Sequence, residues 1–189
     1  MIDPNDIVKY DYTDEQLEEL LIFSICCRQM KSSIVAPKVD SACGRGDHTR
    51  DHTPFERLRR VHNEGDGILA LLLDIGGFRF PQQYADAIVG VITSGLDLRT
   101  CTITDLKKIK WLGDKTSRFF ISSSRPDTKY AILDTHILKF LRDSGVPNVP
   151  KSTPSGKRYL DLQESYAKMV PEGKSFAEFD LEIWRKYSG

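Results

Sequence analysis

A lysine and an aspartate in the second half of the sequence have the types and the spacing for covalent chemistry on a carbon atom. Lys115 follows a turn that contains Gly113, so it is predicted to lie in the first turn of a helix. Asp134 stands 19 residues further on, as the N-cap of an apolar helix predicted over 135–143. The positive end of a helix dipole favours loss of the lysine proton, and the neutral amine is the form that attacks carbon. A nearby carboxylate could accept that proton or stabilise a cationic sugar.

The chain between these two residues is long enough to bring them together. The helix that begins at Lys115 carries the chain away by roughly 14 Å at 1.5 Å per residue. Residues 126–133 are predicted to be extended, and at about 3.3 Å per residue they can return it. Two helix N-termini would then face one cavity. From the residues alone a second interpretation stays open, in which the lysine is solvated and the aspartate only caps a helix.

The rest of the sequence favours an all-α fold. Apolar spacing typical of helices recurs along the chain, whereas the alternation typical of strands is almost absent. Thr104 is predicted to cap a short helix over 105–109, and residues 44–54 are predicted to form a polar loop. The expected helices begin near Asp14 and then cover 34–42, 55–62, 69–75, 81–91, 105–109, 115–124, 135–143, 157–169 and 176–187.

Residues 104–124 therefore read as a hairpin of two helices joined by a glycine-containing turn. Unpaired backbone amides at the start of the second helix form a site for a phosphate. Gly113 has no side chain to keep a nucleic-acid backbone at a distance. The sequence thus predicts contacts to phosphate around Leu112, Gly113, Asp114 and Thr116.

Composition is compatible with this interpretation. The formal net charge is zero, but residues 1–20 hold seven acidic residues and one basic residue. The remaining chain has 26 basic against 20 acidic residues, an excess that could face phosphates. No apolar run reaches the roughly 18 residues of a membrane span, and no secretion signal is visible. The four cysteines show no metal-binding spacing, so we expect free thiols, no metal site and a cytoplasmic, nucleoid-associated protein.

The motifs around the two candidate residues resemble those of a known family. The block 111–120 (WLGDKTSRFF), followed by 131–138 (AILDTHIL), resembles the helix-hairpin-helix-GPD DNA glycosylases, and is similar in particular to their small archaeal-type 8-oxoguanine branch. The resemblance implies a two-lobed helical glycosylase domain, with lobes of about 1–50 plus 145–189 and about 51–144. It also implies that Lys115 is the Schiff-base nucleophile and Asp134 the catalytic carboxylate.

Weaker similarities extend along the chain. Residues 78–80 (FRF) and 180–184 (DLEIW), with Ser188-Gly189, resemble family segments. The resemblance implies a damaged-base pocket that includes Trp184, with Phe23 as a second candidate. We expect further backbone-phosphate contacts from His136, Lys157 and Arg158. The sequence departs from the family at Trp111, which replaces the first glycine of the hairpin.

These observations predict a bifunctional DNA glycosylase/β-lyase that removes an oxidised base, 8-oxoguanine, from duplex DNA. No cofactor is implied, and we expect a monomer. Three alternatives stay open at this point: a glycosylase for another lesion such as an oxidised pyrimidine, a non-catalytic helix-hairpin-helix DNA-binding module, and a helical protein-interaction domain. The modules without catalysis would not need a lysine and an aspartate at the family's spacing.

Overall fold

The structure is a computed structural model that describes residues 2–44 and 52–188. All regular secondary structure in these ranges is helical, so the predicted all-α class is confirmed. Most of the predicted loop 44–54 and the C-terminal Gly189 lie outside the described residues. The chain divides into two compact units, Met1–Ile7 with Asp11–Leu112 (unit 1) and Val8–Tyr10 with Gly113–Gly189 (unit 2).

Unit 1 is built around one central helix. Among the residues described, its helices are α1 (Asp14–Cys26), α2 (Ser32–Ala42), α3 (Pro54–Asn63), α4 (Ile68–Ile75), α5 (Pro81–Ser94) and α6 (Ile103–Lys107). Every residue of α1 from Leu20 to Cys26 is buried, because α2, α3 and α5 pack around it. An uninterrupted apolar run of this length needs neighbours on all sides, which explains its central position.

The start of α6 differs from the sequence-based prediction. Thr102, rather than Thr104, is the N-cap: its side chain accepts a hydrogen bond from the amide of Asp105, whose carboxylate accepts one from the Thr102 amide. This reciprocal capping box requires an acidic or amide residue three positions after the cap, and Asp105 stands at that distance from Thr102.

Unit 2 contains the second half of the sequence. Its helices in the described residues are α7 (Asp114–Ser124), α8 (Thr135–Asp143), α9 (Gly156–Ala167) and α10 (Phe176–Tyr187). Helix α10 packs against both α7 and α8. The core combines apolar side chains of α8, α9 and α10 with two from the segment before α8: Ala131, Leu133, Ile137, Leu138, Leu141, Tyr159, Leu162, Tyr166 and Ile183.

The two units do not coincide with the lobes expected from the sequence. Residues 1–50 and 51–112 were expected in different lobes, yet α1 packs against α3 and α5 within unit 1. Residues 113–144 join 145–189 in unit 2, because α8 packs against α10. The boundary therefore falls at Leu112, inside the predicted hairpin 104–124.

Two sequence-based expectations concern the environment of the chain. All four cysteines are free and buried, as predicted. Burial raises the pKa of the Cys26 and Cys43 thiols, so these thiols stay protonated and unreactive. No helix within residues 2–44 and 52–188 combines the length and the apolar character that crossing a membrane requires.

Candidate active site

Lys115 lies in the first turn of α7, as the sequence predicts. The N-cap residue is Gly113, which has no side chain to cap the amides that follow. Uncapped amides at a helix N-terminus bind anions such as phosphate. The Lys115 side chain is half-buried, and its ammonium forms neither a hydrogen bond nor an ion pair with any residue that the structure describes. The amine is therefore not committed to a structural contact.

The first turn of α7 is anchored by a buried ion pair. Arg118 Nη1 lies 2.5 Å from Asp114 Oδ1, and both side chains are largely buried. The Arg118 guanidinium stacks on the Tyr159 ring at 4.4 Å from its centroid, and its Nε donates to Gln163 Oε1 at 3.3 Å. These contacts attach the residue that precedes Lys115 to helix α9.

Asp134 is the N-cap of α8, as predicted. Its Oδ1 accepts hydrogen bonds from the amides of His136 at 2.8 Å and Ile137 at 2.9 Å. Its Oδ2 forms no hydrogen bond within the described part of the chain, and the side chain is half-buried. One oxygen thus holds the helix, and the other is available for a proton or a cation. Lys115 and Asp134 therefore lie in the same compact unit, at the N-termini of consecutive helices.

The segment that leads to Asp134 belongs to no helix, and the described part of the chain contains no strand beside it. Side chains supply the missing backbone partners instead. Tyr159 Oη donates to the carbonyl of Ala131 at 2.7 Å and accepts from the amide of Leu133 at 3.0 Å. Three other side chains bond to the segment: the Ala131 amide donates to Gln163 Oε1 at 3.2 Å, the Ile132 amide donates to Asp180 Oδ2 at 2.8 Å, and Thr153 Oγ1 donates to the Leu133 carbonyl at 2.9 Å.

We expect Tyr159→Phe to lower the free energy of unfolding by about 2–4 kcal/mol. The substitution keeps the buried ring but leaves two buried backbone groups, the Ala131 carbonyl and the Leu133 amide, without their partner. Urea denaturation followed by circular dichroism measures the change. Tyr166→Phe is the matched control, because this buried hydroxyl makes one backbone hydrogen bond, to Phe176. Equal losses in the two variants would contradict the role given to Tyr159.

Asp180 on α10 is a buried carboxyl beside the candidate catalytic carboxylate. Its Oδ2 accepts from the Ile132 amide, and its Oδ1 has no partner with good hydrogen-bond geometry among residues 2–44 and 52–188. Burial raises the pKa of Asp180 to about 8, the negative charge of Asp134 adds to the rise, and the Tyr166 hydroxyl and the Ile132 amide oppose it. Asp180 is therefore protonated at neutral pH, and Asp134 has no second negative charge next to it.

This protonation predicts a specific pH dependence of stability. The unfolded carboxyl loses its proton near 3.8, and the folded one retains it up to about pH 8. Between these values the folded state binds one more proton, so the contribution of Asp180 to stability falls as pH rises, by about 1.4 kcal/mol per pH unit. In Asp180→Asn this contribution is absent, and the stability of the variant relative to the wild type should increase from pH 4 to pH 8.

Urea unfolding at a series of pH values tests this expectation. Glu178→Gln on the same helix is the control: interaction with Ser175 lowers the pKa of Glu178, so its stabilising contribution is lost as pH falls. The control should therefore be less stable than the wild type at neutral pH and approach it as pH falls, the opposite direction to Asp180→Asn. Parallel stability curves for Asp180→Asn and the wild type would show that Asp180 titrates normally.

Comparison with known proteins gives related sequences among the DNA glycosylases of Thermotoga. The 8-oxoguanine DNA glycosylase/AP lyase of Thermotoga sp. (strain RQ2) is 31% identical over 126 residues, which cover 60% of this chain and 58% of the relative. The protein of the same name from Thermotoga petrophila is 30% identical over the same coverage. The chain thus spans less than two thirds of the length of these curated relatives. No family model matches the chain.

A solved structure extends the similarity to almost the whole chain. The crystal structure of the 8-oxoguanine DNA glycosylase of Thermotoga maritima matches with a TM-score of 0.69 and 25% sequence identity. The match covers 98% of this chain and 87% of that protein. The resemblance to the helix-hairpin-helix-GPD glycosylases is confirmed.

The two residues that the glycosylase resemblance places in a base pocket have very different environments. Trp184 is half-buried on α10 of unit 2, so part of its ring is accessible for stacking. Phe23 is fully buried in the central helix of unit 1. The Phe23 ring has no exposed surface in this structure, and its role in a base pocket stays a prediction.

The residues expected to contact phosphate in a glycosylase are also distinguished by their surroundings. Leu112 is buried, and its amide already donates to the Ile109 carbonyl at 3.2 Å. The Asp114 carboxylate is paired with Arg118. The more accessible candidates are Gly113, Thr116, His136, Lys157 and Arg158, of which Arg158 also donates to the carbonyl of Asn148.

Sequence analysis missed the residues that position Asp134. Asp180 belongs to the segment 180–184, which resembles a family segment, but the resemblance implies a role only for Trp184. An acidic residue at an inward-facing position of an apolar helix was the available signal, since such residues are buried only with partners. Tyr159 and Gln163 carried no comparable signal, because both residue types are common on helices.

Proposed function

We propose that this chain is a bifunctional DNA glycosylase with β-lyase activity, acting on duplex DNA that carries 8-oxoguanine. One observation carries the proposal: in unit 2, the Lys115 amine and one carboxylate oxygen of Asp134 have no partner among the residues that the structure describes. A half-buried amine and carboxylate oxygen that hold no structural contact are available to act on a ligand. The names of the related proteins support the choice of lesion.

The proposed reaction begins with binding of a phosphate at the uncapped start of α7. The damaged nucleotide is turned out of the duplex, at a cost of a few kcal/mol. The neutral amine of Lys115 attacks C1′ of the deoxyribose, and the bond to the base breaks with its electron pair leaving on the base. Asp134 accepts the proton that the amine must lose and stabilises the positive charge that develops on the sugar.

Strand cleavage follows from the same covalent intermediate. Opening of the sugar ring gives an imine between Lys115 and C1′, with the ring oxygen taking up a proton. Loss of a proton from C2′ and departure of the 3′-phosphate complete the β-elimination, and water releases the lysine. No metal or organic cofactor enters these steps.

The remaining expectations about the protein form part of the same proposal. Residues 1–189 are proposed to act as one glycosylase domain, as a monomer, with damaged double-stranded DNA as partner. We propose a cytoplasmic location at the nucleoid; the four free cysteines are compatible with a reducing compartment and do not bear on the nucleoid.

Borohydride trapping on a duplex with a single 8-oxoguanine tests the proposal. Reduction of the imine should leave a covalent protein–DNA band on the damaged duplex and none on an undamaged duplex of the same sequence. A covalent band on an abasic duplex, without one on the 8-oxoguanine duplex, would support the lysine chemistry and indicate that the enzyme removes a different lesion, such as an oxidised pyrimidine. If no band forms on either the 8-oxoguanine or the abasic duplex, the proposal is wrong, and a DNA-binding module without catalytic activity becomes the favoured interpretation.

A further inference from the structure

A second surface of the protein combines an exposed aromatic ring with several cations. Trp111, in unit 1, is 43% exposed. Its Nε1 donates to Asp86 Oδ2 at 3.2 Å, which fixes the direction of the indole ring. Lys110 Nζ lies 5.1 Å from the centroid of the ring, and the Arg28 guanidinium carbon lies 5.8 Å from it. The ring is thus held in place without being buried.

The backbone at Trp111 has a conformation that a large side chain rarely adopts. Its φ is 72°, in the left-handed region that favours glycine. A tryptophan at this position makes the turn less stable than a glycine would. An exposed aromatic residue held in a strained backbone contributes little to a core. Such conformations concentrate where the protein contacts a ligand.

The neighbours of Trp111 indicate the chemistry of that ligand. The Arg28 guanidinium stacks on the Phe80 ring at 4.5 Å and hydrogen bonds to the side chain of Gln83. Lys110 is 70% exposed, and its ammonium lies 3.4 Å from the partly exposed Asp86 carboxylate. Planar aromatic and guanidinium groups beside an exposed ammonium match a base with its adjoining phosphate. A purely apolar partner would leave these charges desolvated.

We propose that Trp111 is a stacking platform for a DNA base that has left the helical stack beside the lesion, with Lys110 contacting the adjoining phosphate. This inference rests on the proposed function, because it requires DNA with an unstacked base. A base inside an intact duplex presents only its edges, so its face is not available to the ring. The contribution of Trp111 is therefore expected on interrupted duplexes and not on intact ones.

Trp111→Gly separates this role from a structural one. Removing the ring should weaken binding to a duplex with one abasic site by roughly 5- to 100-fold and leave binding to the intact duplex nearly unchanged. The same substitution relieves the left-handed strain, so the unfolding temperature should rise by roughly 2–8 °C. A merely structural tryptophan would show the opposite change in stability and no difference between the two duplexes.

Two further variants complete the experiment. Trp111→Phe keeps an aromatic face and should retain most of the affinity for the abasic duplex. Ile75→Ala removes another exposed apolar side chain of unit 1 and should leave the affinity for both duplexes unchanged. The chain has two tryptophans, so the emission lost in Trp111→Phe belongs to Trp111. Stacking predicts that this component is quenched by abasic duplex and not by intact duplex.

The outcomes distinguish this inference from the proposed function. If the wild type is trapped by borohydride but Trp111→Gly binds the abasic duplex as the wild type does, or Trp111 emission is not quenched, only the stacking role is wrong. If the wild type neither binds abasic DNA nor is trapped on it, both proposals are wrong. Selective loss of abasic binding in Trp111→Gly, with normal trapping by the wild type, supports both.

Discussion

Replacing Lys115 by glutamine is expected to abolish covalent trapping on damaged DNA and to slow base excision by roughly 10³- to 10⁶-fold, the range seen when a catalytic nucleophile is removed. Glutamine is similar in length and favours helix almost as well as lysine. Since the Lys115 ammonium has no structural partner among the residues described, the stability of the protein should hardly change.

Borohydride trapping and single-turnover excision measure this effect on one duplex substrate. Lys157→Gln is the matched control, because Lys157 is an exposed lysine in the first turn of α9, a helix that also begins without a side-chain cap. That variant should weaken binding at most modestly and retain trapping. A normal covalent band from Lys115→Gln would assign the nucleophile to another amine.

Asp134→Asn should reduce the rate of excision by roughly 10²- to 10⁴-fold and leave the fold intact. Asparagine is as good an N-cap as aspartate, so the hydrogen bonds from His136 and Ile137 can remain. What is lost is the negative charge and the proton acceptor. DNA binding should be maintained, so the defect should lie in the chemical step.

Asp134→Ala separates capping from catalysis. It removes the cap as well and should lower the free energy of unfolding by about 1 kcal/mol, with an excision defect similar to that of Asp134→Asn. If Asp134→Asn retains full activity, Asp134 serves only as a helix cap, which was the structural interpretation left open by the sequence.

The parts of the fold that the sequence predicted are those that depend on local chemistry. Helix α8 was predicted with its observed bounds, because Asp134 before it and Gly145 after it are strong boundary signals. The position of Lys115 in the first turn of α7 followed from Gly113 in the same way. The error at α6 arose because Thr102 and Thr104 both lie at the start of that helix, and only Thr102 has an acidic residue, Asp105, three positions later.

The features that the sequence did not reveal depend on contacts between distant residues. The boundary at Leu112 follows from the packing of α1 against α3 and α5 and of α8 against α10, which no local pattern encodes. Phe23 was assigned to a pocket by resemblance, whereas its burial is set by the helices around it. The hydrogen bonds of Tyr159 to the segment before Asp134 bridge 26 and 28 residues.

The segment 131–133 also has a consequence for the order of folding. The side chains that bond to its backbone lie 20 to 48 residues further along the chain, and the most distant of them is Asp180 on α10. Closing loops of this length costs conformational entropy before the hydrogen bonds to the segment can form. The individual helices are therefore expected to form before these long-range contacts. During synthesis the ribosome releases Lys115 and Asp134 well before α10. A nascent chain therefore carries both candidate groups before α10 can support the segment that leads to Asp134, and we expect the proposed activity only after α10 has docked.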